Sequence, residues 1–246
     1  MPSVSDEAIC LRHWDFSETS QTVSLFTREL GMMRGLAKGA RRERGNFSGG
    51  IDLLTRGNVA LIIKPGRDLV TITEWNLIEA HWSLRQHLAP HRAALFMADL
   101  AQRMVHDHDP HPDLYDALAM SLAAMHNPED VFTRLLPFLW ALLTETGYQP
   151  QVNTLADTAG HAIAPDVETL AFDPRAGGVV EDTGQPGRWR VRRETVALLQ
   201  QIAAGKCDAG QHDLAISERA ARLLCAYIRE ILGMEPPTLK LLFHDL

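Results

Sequence analysis

Two short apolar runs around a four-residue turn constrain this chain more than any other feature. Val59–Lys64 and Leu69–Trp75 flank Pro65-Gly66-Arg67-Asp68, where Gly66 is free to take a positive φ. In the second run Val70 and Ile72 alternate with Leu69, Thr71 and Thr73, the period-two pattern of a sheet with one strongly apolar face. Ala8–Trp14, Thr22–Thr27 and Met32–Ala40 are further runs with β-branched or aromatic members, separated by turn-formers such as Ser17-Glu18-Thr19 and Leu30-Gly31. About five short strands within eighty residues predict a small closed barrel, which leaves no edge strand exposed to pair with another chain.

The texture changes after residue 80. Ala94, Leu95, Ala98, Ala101 and Val105 recur at helical spacing. Asn127-Pro128-Glu129-Asp130 has the form of a helix start, with a cap, proline at the first position and acids at the positive end of the dipole. That helix runs through Leu135, Leu136, Leu139, Leu142 and Leu143 to Gly147, with Pro137 as a kink or local adjustment. Residues 149–190 are rich in Gly, Pro, Asp and Thr and are expected to hold little regular structure. A helix from Arg193 to Ala204 follows, and a last one starts at a Ser217 cap and ends at Gly233. The expected class is α+β, with a β-barrel over residues 1–80 and a helical domain with an irregular insertion over 81–246.

Composition and charge narrow the function. The 46% hydrophobic and 22% charged residues are those of a soluble globular protein. The start, MPSVSDEAIC, is not a secretory signal, and Leu135–Leu143 is too short to span a bilayer and contains Pro137. Cys10, Cys207 and Cys225 form no CxxC pair and read as reduced thiols, so a cytoplasmic protein is expected. The net charge of -7 argues against nucleic acid only as a sum. Residues 1–80 carry ten charges of each sign, whereas the remainder has fourteen Lys/Arg against twenty-one Asp/Glu. Arg28, Arg34, Lys38, Arg41, Arg42 and Arg44 lie in one stretch opposed by Glu29 and Glu43 alone. Salt screens charges beyond about 8–10 Å, so a polyanion responds to this local excess.

At this point the residues resemble a known family. "AICLRHWDFSETSQTVSLFTRELGMMRGLAKGARR" at 8–42 is similar to the amino-terminal pattern of the RecO family. "TITEWNLIEA" at 71–80, "LLTETGYQP" at 142–150, "FDPRAGGVV" at 172–180 and "LLCAYIREILG" at 223–233 follow in the family's order and span nearly the whole chain. The resemblance implies an OB-fold barrel, a central helical domain, and a DNA repair and recombination mediator without enzymatic activity. It would bind and anneal single-stranded DNA near the nucleoid and help load RecA together with RecR. It also implies a groove in the helical domain for the acidic, apolar carboxy-terminal tail of single-stranded DNA-binding protein. The sequence departs from the family at the zinc site that many members build from two CxxC pairs. Ala156 and Ala159 stand at the first pair, Glu181 and Gly184 at the second, so no metal and no other cofactor is expected.

The DNA-binding candidates are Arg34, Lys38, Arg41, Arg42 and Arg44, because guanidinium groups grip phosphates in a planar fork and the nearby glycines let backbone approach. Trp14, Phe16, Phe26, Phe47 and Trp75 are either stacking platforms or barrel core, and the sequence leaves both open. Arg103, Arg222 and Arg229 are the candidates for the protein tail, Arg222 and Arg229 lying two helical turns apart. The stretch from His106 to Asp113 holds three histidines and three carboxylates, but in a Pro-broken segment it reads as a connector rather than a metal site. There is no GxSxG, P-loop or HExxH. His13, Asp15 and Ser17 share a strand end and suggest no triad beyond chance. Two other functions stay open: an adaptor that has lost DNA affinity, and an RNA-binding barrel.

Overall fold

Five strands close a barrel in a computed structural model that describes residues 3–42, 45–47, 49–153, 163, 164, 166–206 and 213–243. They are β1 (Val4–Asp15), β2 (Gln21–Thr27), β3 (Gly31–Ala37), β4 (Arg56–Ile62) and β5 (Val70–Glu79). Their order around the barrel is β1-β2-β3-β5-β4, with β4 returning to β1 and β3 running parallel to β5. The hairpin read from the sequence is β4–β5, in register from Ile62 opposite Thr71, with Gly66 at φ 73° in its turn. The third strand stops at Ala37, short of the expected Ala40, because Gly39 turns the chain at φ 69°.

Alternation splits the barrel residues between two cores. Ala8, Cys10, Val23, Leu25, Met33, Val59, Leu61, Val70, Ile72 and Trp75 fill the interior. Ile9, Leu11, Phe26 and Met32 point outward and join the core of the helical region. This second core holds α1 (Leu88–Met104), α2 (Pro112–Ala124), α3 (Val131–Glu145), α4 (Arg193–Ala203), α5 (Leu214–Leu232) and the short α6 (Leu239–Leu242). A 3₁₀ turn at Trp82–Arg85 leads from β5 into α1. The Asn127 N–H donates to Asp130 Oδ2 at 3.0 Å at the start of the segment that becomes α3, which runs through Pro137. No helix of the described residues is long and apolar enough to cross a membrane.

Two expectations need correction. The stretch 149–190 contains β6 (Thr169–Asp173) and β7 (Gly178–Val180), and with β8 (Trp189–Arg192) these form a sheet of order β7-β6-β8. Phe172 on β6 is fully buried, stacks 5.8 Å from Trp189 and meets Tyr227 of α5 edge-on at 5.1 Å, so the segment is anchored by packing. The last helix starts at Asp213, whose carboxylate accepts from the Ala215 N–H at 2.7 Å, and Ser217 lies buried inside it. A carboxylate four residues upstream outcompetes the serine as cap because it also meets the helix dipole with a full charge. Gly233 ends the helix at φ 63°, as expected.

The seam between barrel and helices is polar at its rim. Arg28 donates from Nε and Nη2 to the Asp116 carboxylate of α2 at 2.9 and 2.7 Å, and that bond and charge hold Asp116 below the usual carboxylate range. Tyr115 Oη donates to Glu7 Oε1 at 3.0 Å, and burial pushes this phenol up. The connector after α1 also docks on the barrel. The His108 N–H donates to the Met32 carbonyl at 3.1 Å, and the Asp109 backbone lies where a Cβ on Gly31 would stand, which only glycine at φ 74° permits.

Candidate nucleic-acid interface

The same outward positions that are buried at one end of the β1–β2–β3 face are bare at the other. A shift in register between Cys10 and Arg12 ends the buried stretch of β1 and turns Arg12 and Trp14 outward. Trp14 opposes Thr22 on β2, Thr22 opposes Leu36 on β3, and Leu36 opposes Thr71 on β5. In the neighbouring row Arg12 opposes Ser24 and Ser24 opposes Arg34. The Arg12 guanidinium lies over the Trp14 ring, 4.8 Å from its centroid. Trp14 is 43% exposed, and Phe16, in the following turn, 64%. An exposed indole backed by a guanidinium, on the strand face that OB barrels use for oligonucleotides, can stack a base and hold its phosphate.

The predicted cations fall into three groups. Lys38 and Arg42 sit in the exposed turn after β3 and have no ion pair among the described residues. Arg34 and Arg41 are paired, Arg34 with Asp107 of the connector at 3.0 Å and Arg41 with Asp15. Arg44 lies outside the described residues. The turn is fixed against the β1–β2 turn, since the Arg41 N–H donates to the Thr19 carbonyl at 3.0 Å and the Gly39 N–H to Ser20 Oγ at 3.2 Å. This places the cationic turn next to Phe16.

Of the aromatics left open by the sequence, Trp14 and Phe16 are surface and Phe26, Phe47 and Trp75 are core. Arg12 was missed by sequence reasoning, although the i, i+2 spacing of Arg12 and Trp14 on a strand carried the signal. His13 turns toward Asp52, 3.8 Å away, while Asp15 binds Arg41, so the two share no catalytic geometry.

The helical candidates are not drawn into one site. Arg103 donates to Asp99 at 2.8 Å, Arg222 to Glu218 at 2.9 Å, and Arg229 lies 3.9 Å from Glu235. Arg222 also covers the Phe243 ring at 4.4 Å, and Phe243 stacks on Phe132 of α3 at 5.5 Å. Arg103 lines a cleft of about 330 Å³ with Ile231 and Leu232, and Arg222 and Arg229 lie outside it. Among the described residues no three His, Cys, Asp or Glu side chains group as metal ligands, and Ala156 and Ala159 lie outside them. In the connector, His111 bridges Glu145 at 3.1 Å and Asp109 at 3.2 Å. Cys10 and Cys225 are buried free thiols, and burial pushes Cys10 up to about 12.

A closed barrel of this strand order, with a bare aromatic and cationic sheet face and a helical region fused behind it, defines an OB-fold protein of two fused parts. The chain belongs to the RecO family of DNA repair proteins: residues 1–81 match "Recombination protein O N terminal" and residues 82–240 match "Recombination protein O C terminal". It is 34% identical over 181 residues to the DNA repair protein RecO of Rhodopirellula baltica, covering 74% of this chain and 67% of the relative. With the RecO of Anaeromyxobacter sp. strain Fw109-5 identity is 31%, over 92% of this chain and 90% of the relative. With that of Salinibacter ruber it is 28%, over 93% and 86%.

Proposed function

We propose that this RecO-family protein is a non-enzymatic recombination mediator that binds single-stranded DNA across the bare end of the β1–β2–β3 face. The observation that carries this reading is the exposed Trp14 with Arg12 stacked on it, beside Lys38 and Arg42, which have no ion pair among the described residues. Bases stack on Trp14 and Phe16, while Arg12, Lys38 and Arg42 hold the backbone, with Arg34 and Arg41 as secondary contacts and Arg44, outside the described residues, as a further candidate. Annealing of complementary strands and loading of RecA together with RecR belong to the same proposal, and membership of a DNA repair family is consistent with them. The tail of single-stranded DNA-binding protein would dock on the helical region, with Arg222 and Arg229 of α5 as its candidates and Arg103 as a separate one in the cleft beside Ile231 and Leu232. The domain division at residue 80 belongs to the same proposal.

The test is binding of labelled single-stranded DNA, and of RNA of the same sequence, over a salt series. A steep salt dependence with DNA bound at least as tightly as RNA supports the reading, and preference for RNA overturns it. The pairing of Arg34 and Arg41 with carboxylates favours one competing reading, an adaptor without DNA affinity. No binding to either polymer would establish it.

A further inference from the structure

A cleft of about 370 Å³ opens at the base of the barrel, between the segment after β3 and the 3₁₀ turn after β5. Its walls include Arg41, Phe47, Gly50, Leu77, Trp82 and Arg85. Trp82 is 67% exposed and Leu77 52%, so an indole and an aliphatic side chain stand at its mouth with no cover among the described residues. The Arg85 guanidinium lies over the Trp82 ring at 5.1 Å. This repeats, on a different part of the barrel, the arginine-over-tryptophan arrangement of Arg12 and Trp14.

We infer that this cleft is a second nucleobase pocket, in which a base of the bound strand stacks on Trp82 while Arg41 and Arg85 hold the flanking phosphates. The inference rests on the proposed DNA-binding face and extends it. Arg41 joins the two places: it lines the cleft, and its backbone is bonded to the β1–β2 turn that carries Phe16. A strand leaving Trp14 and Phe16 therefore meets Arg41 before Trp82. The cleft falls within the roughly 300–1,000 Å³ of small-ligand pockets.

The carboxylates nearby set a condition. Asp52 pairs with Arg85 at 2.7 Å and faces His13 at 3.8 Å, and Asp15 pairs with Arg41. Burial opposes the charge on Asp52. The hydrogen bonds from Arg85 and the Leu53 N–H, with the Arg85 and His13 charges, outweigh it and keep Asp52 below the usual carboxylate range. The Asp52 carboxylate thus stays charged and holds Arg85 in place. Each guanidinium has five N–H donors, so a phosphate can share Arg41 and Arg85 with their acids. Exposed pairs of this kind resist such sharing weakly. An apolar peptide segment would use Trp82 and Leu77 but leave both arginines idle, so a base with its phosphates accounts for more of the site.

The experiment compares the full chain with Trp82→Ala, Trp82→Phe and Trp14→Ala, binding labelled oligo-dT of about five and about fifteen nucleotides. For Trp82→Ala the expected result is a loss of about 5- to 150-fold on the long oligonucleotide and none on the short one. Trp82→Phe keeps most of the affinity. Unchanged long-oligonucleotide affinity in a folded Trp82→Ala protein, with Trp14→Ala weakened, overturns the pocket and leaves the sheet face standing. A protein partner as occupant would give that pattern. Equal losses on both lengths also overturn it. If neither tryptophan matters, the DNA-binding reading falls as well.

Discussion

On the barrel, Arg12, Lys38 and Arg42 have no carboxylate partner among the described residues, whereas on α5 Arg219, Arg222 and Arg229 each have one. The helical region has the acidic excess of the chain, and the arginines of α5 are paired within it. The barrel is neutral in sum but, among the described residues, leaves Arg12, Lys38 and Arg42 without an ion pair. A net charge of -7 therefore describes the helical region and says little about the place where a phosphate backbone would lie. A second contrast lies within the barrel. Phe26 and Trp14 point from the same outer face, yet Phe26 is fully buried under the helices and Trp14 is 43% exposed. The helices cover one end of the face and free the other.

The largest expected effect separates these two aromatics. Phe26→Ala removes a ring that meets Tyr115 edge-on at 5.7 Å and should cost about 3–5 kcal/mol, lowering the melting temperature by roughly 6–20 °C. Trp14→Ala should barely move the melting temperature but weaken single-stranded DNA binding by about 5- to 150-fold. Thermal melts and anisotropy titrations on both variants read the contrast directly. A destabilised Trp14→Ala protein with unchanged affinity would make Trp14 structural.

The seam should respond to pH. His81 is buried where β5 meets the 3₁₀ turn, with Nδ1 3.4 Å from Glu79 Oε1. Burial holds its pKa below the ordinary histidine value, against the pull of Glu79 and with the push of Arg56. Below about 6.5 the unfolded chain takes up a proton that the folded chain resists, so stability falls as pH drops through that window. His81→Gln should flatten the decline between pH 7 and 5 in urea melts. An unchanged slope would place the pH sensitivity elsewhere.

Salt dependence tests the charge contrast. Lys38→Ala with Arg42→Ala should reduce the slope of log K against log salt by about 1.4, since each single-strand phosphate contact contributes about 0.7. Arg222→Ala with Arg229→Ala should leave that slope alone while abolishing capture of an acidic, apolar tail peptide. Equal slopes for both double variants would erase the distinction between the two regions.

Much of the barrel was legible because alternation is local: Val70 and Ile72 point inward as their spacing requires. Trp75, out of step by one residue, is turned inward by the register shift opposite Ala60 and Leu61, which the spacing did not show. The helices were legible from three- and four-residue periodicity. The β6–β8 sheet was not, because strands of five, three and four residues among Gly, Pro and Asp show no period. The site was half legible. The cationic stretch stands in the sequence, but which of its members are paired depends on Asp107, 73 positions from Arg34, and on Asp15. Whether an aromatic serves as platform or core depends on what the helices cover, and the spacing of Phe26 and Trp14 holds no trace of that.

The smallest effect is the most pointed. Asp107 reaches from the helical connector to Arg34, on the edge of the face that Trp14 marks, so the acidic region holds this cation of the barrel as well as Arg28. The connector is docked by its backbone, through the pairing of Met32 with Asp107 and the His108 N–H, and not by this carboxylate. Asp107→Asn should therefore leave the connector in place and free Arg34 for a phosphate. The Arg34 and Asp107 side chains are 59% and 47% exposed, a pair worth little in water, so the gain in single-stranded DNA affinity should stay below about fivefold. The salt slope should steepen by about 0.7, one added contact. Arg34→Ala on the Asp107→Asn background should cancel both changes. An Asp107→Asn protein with wild-type affinity and slope would take Arg34 off the path of the strand.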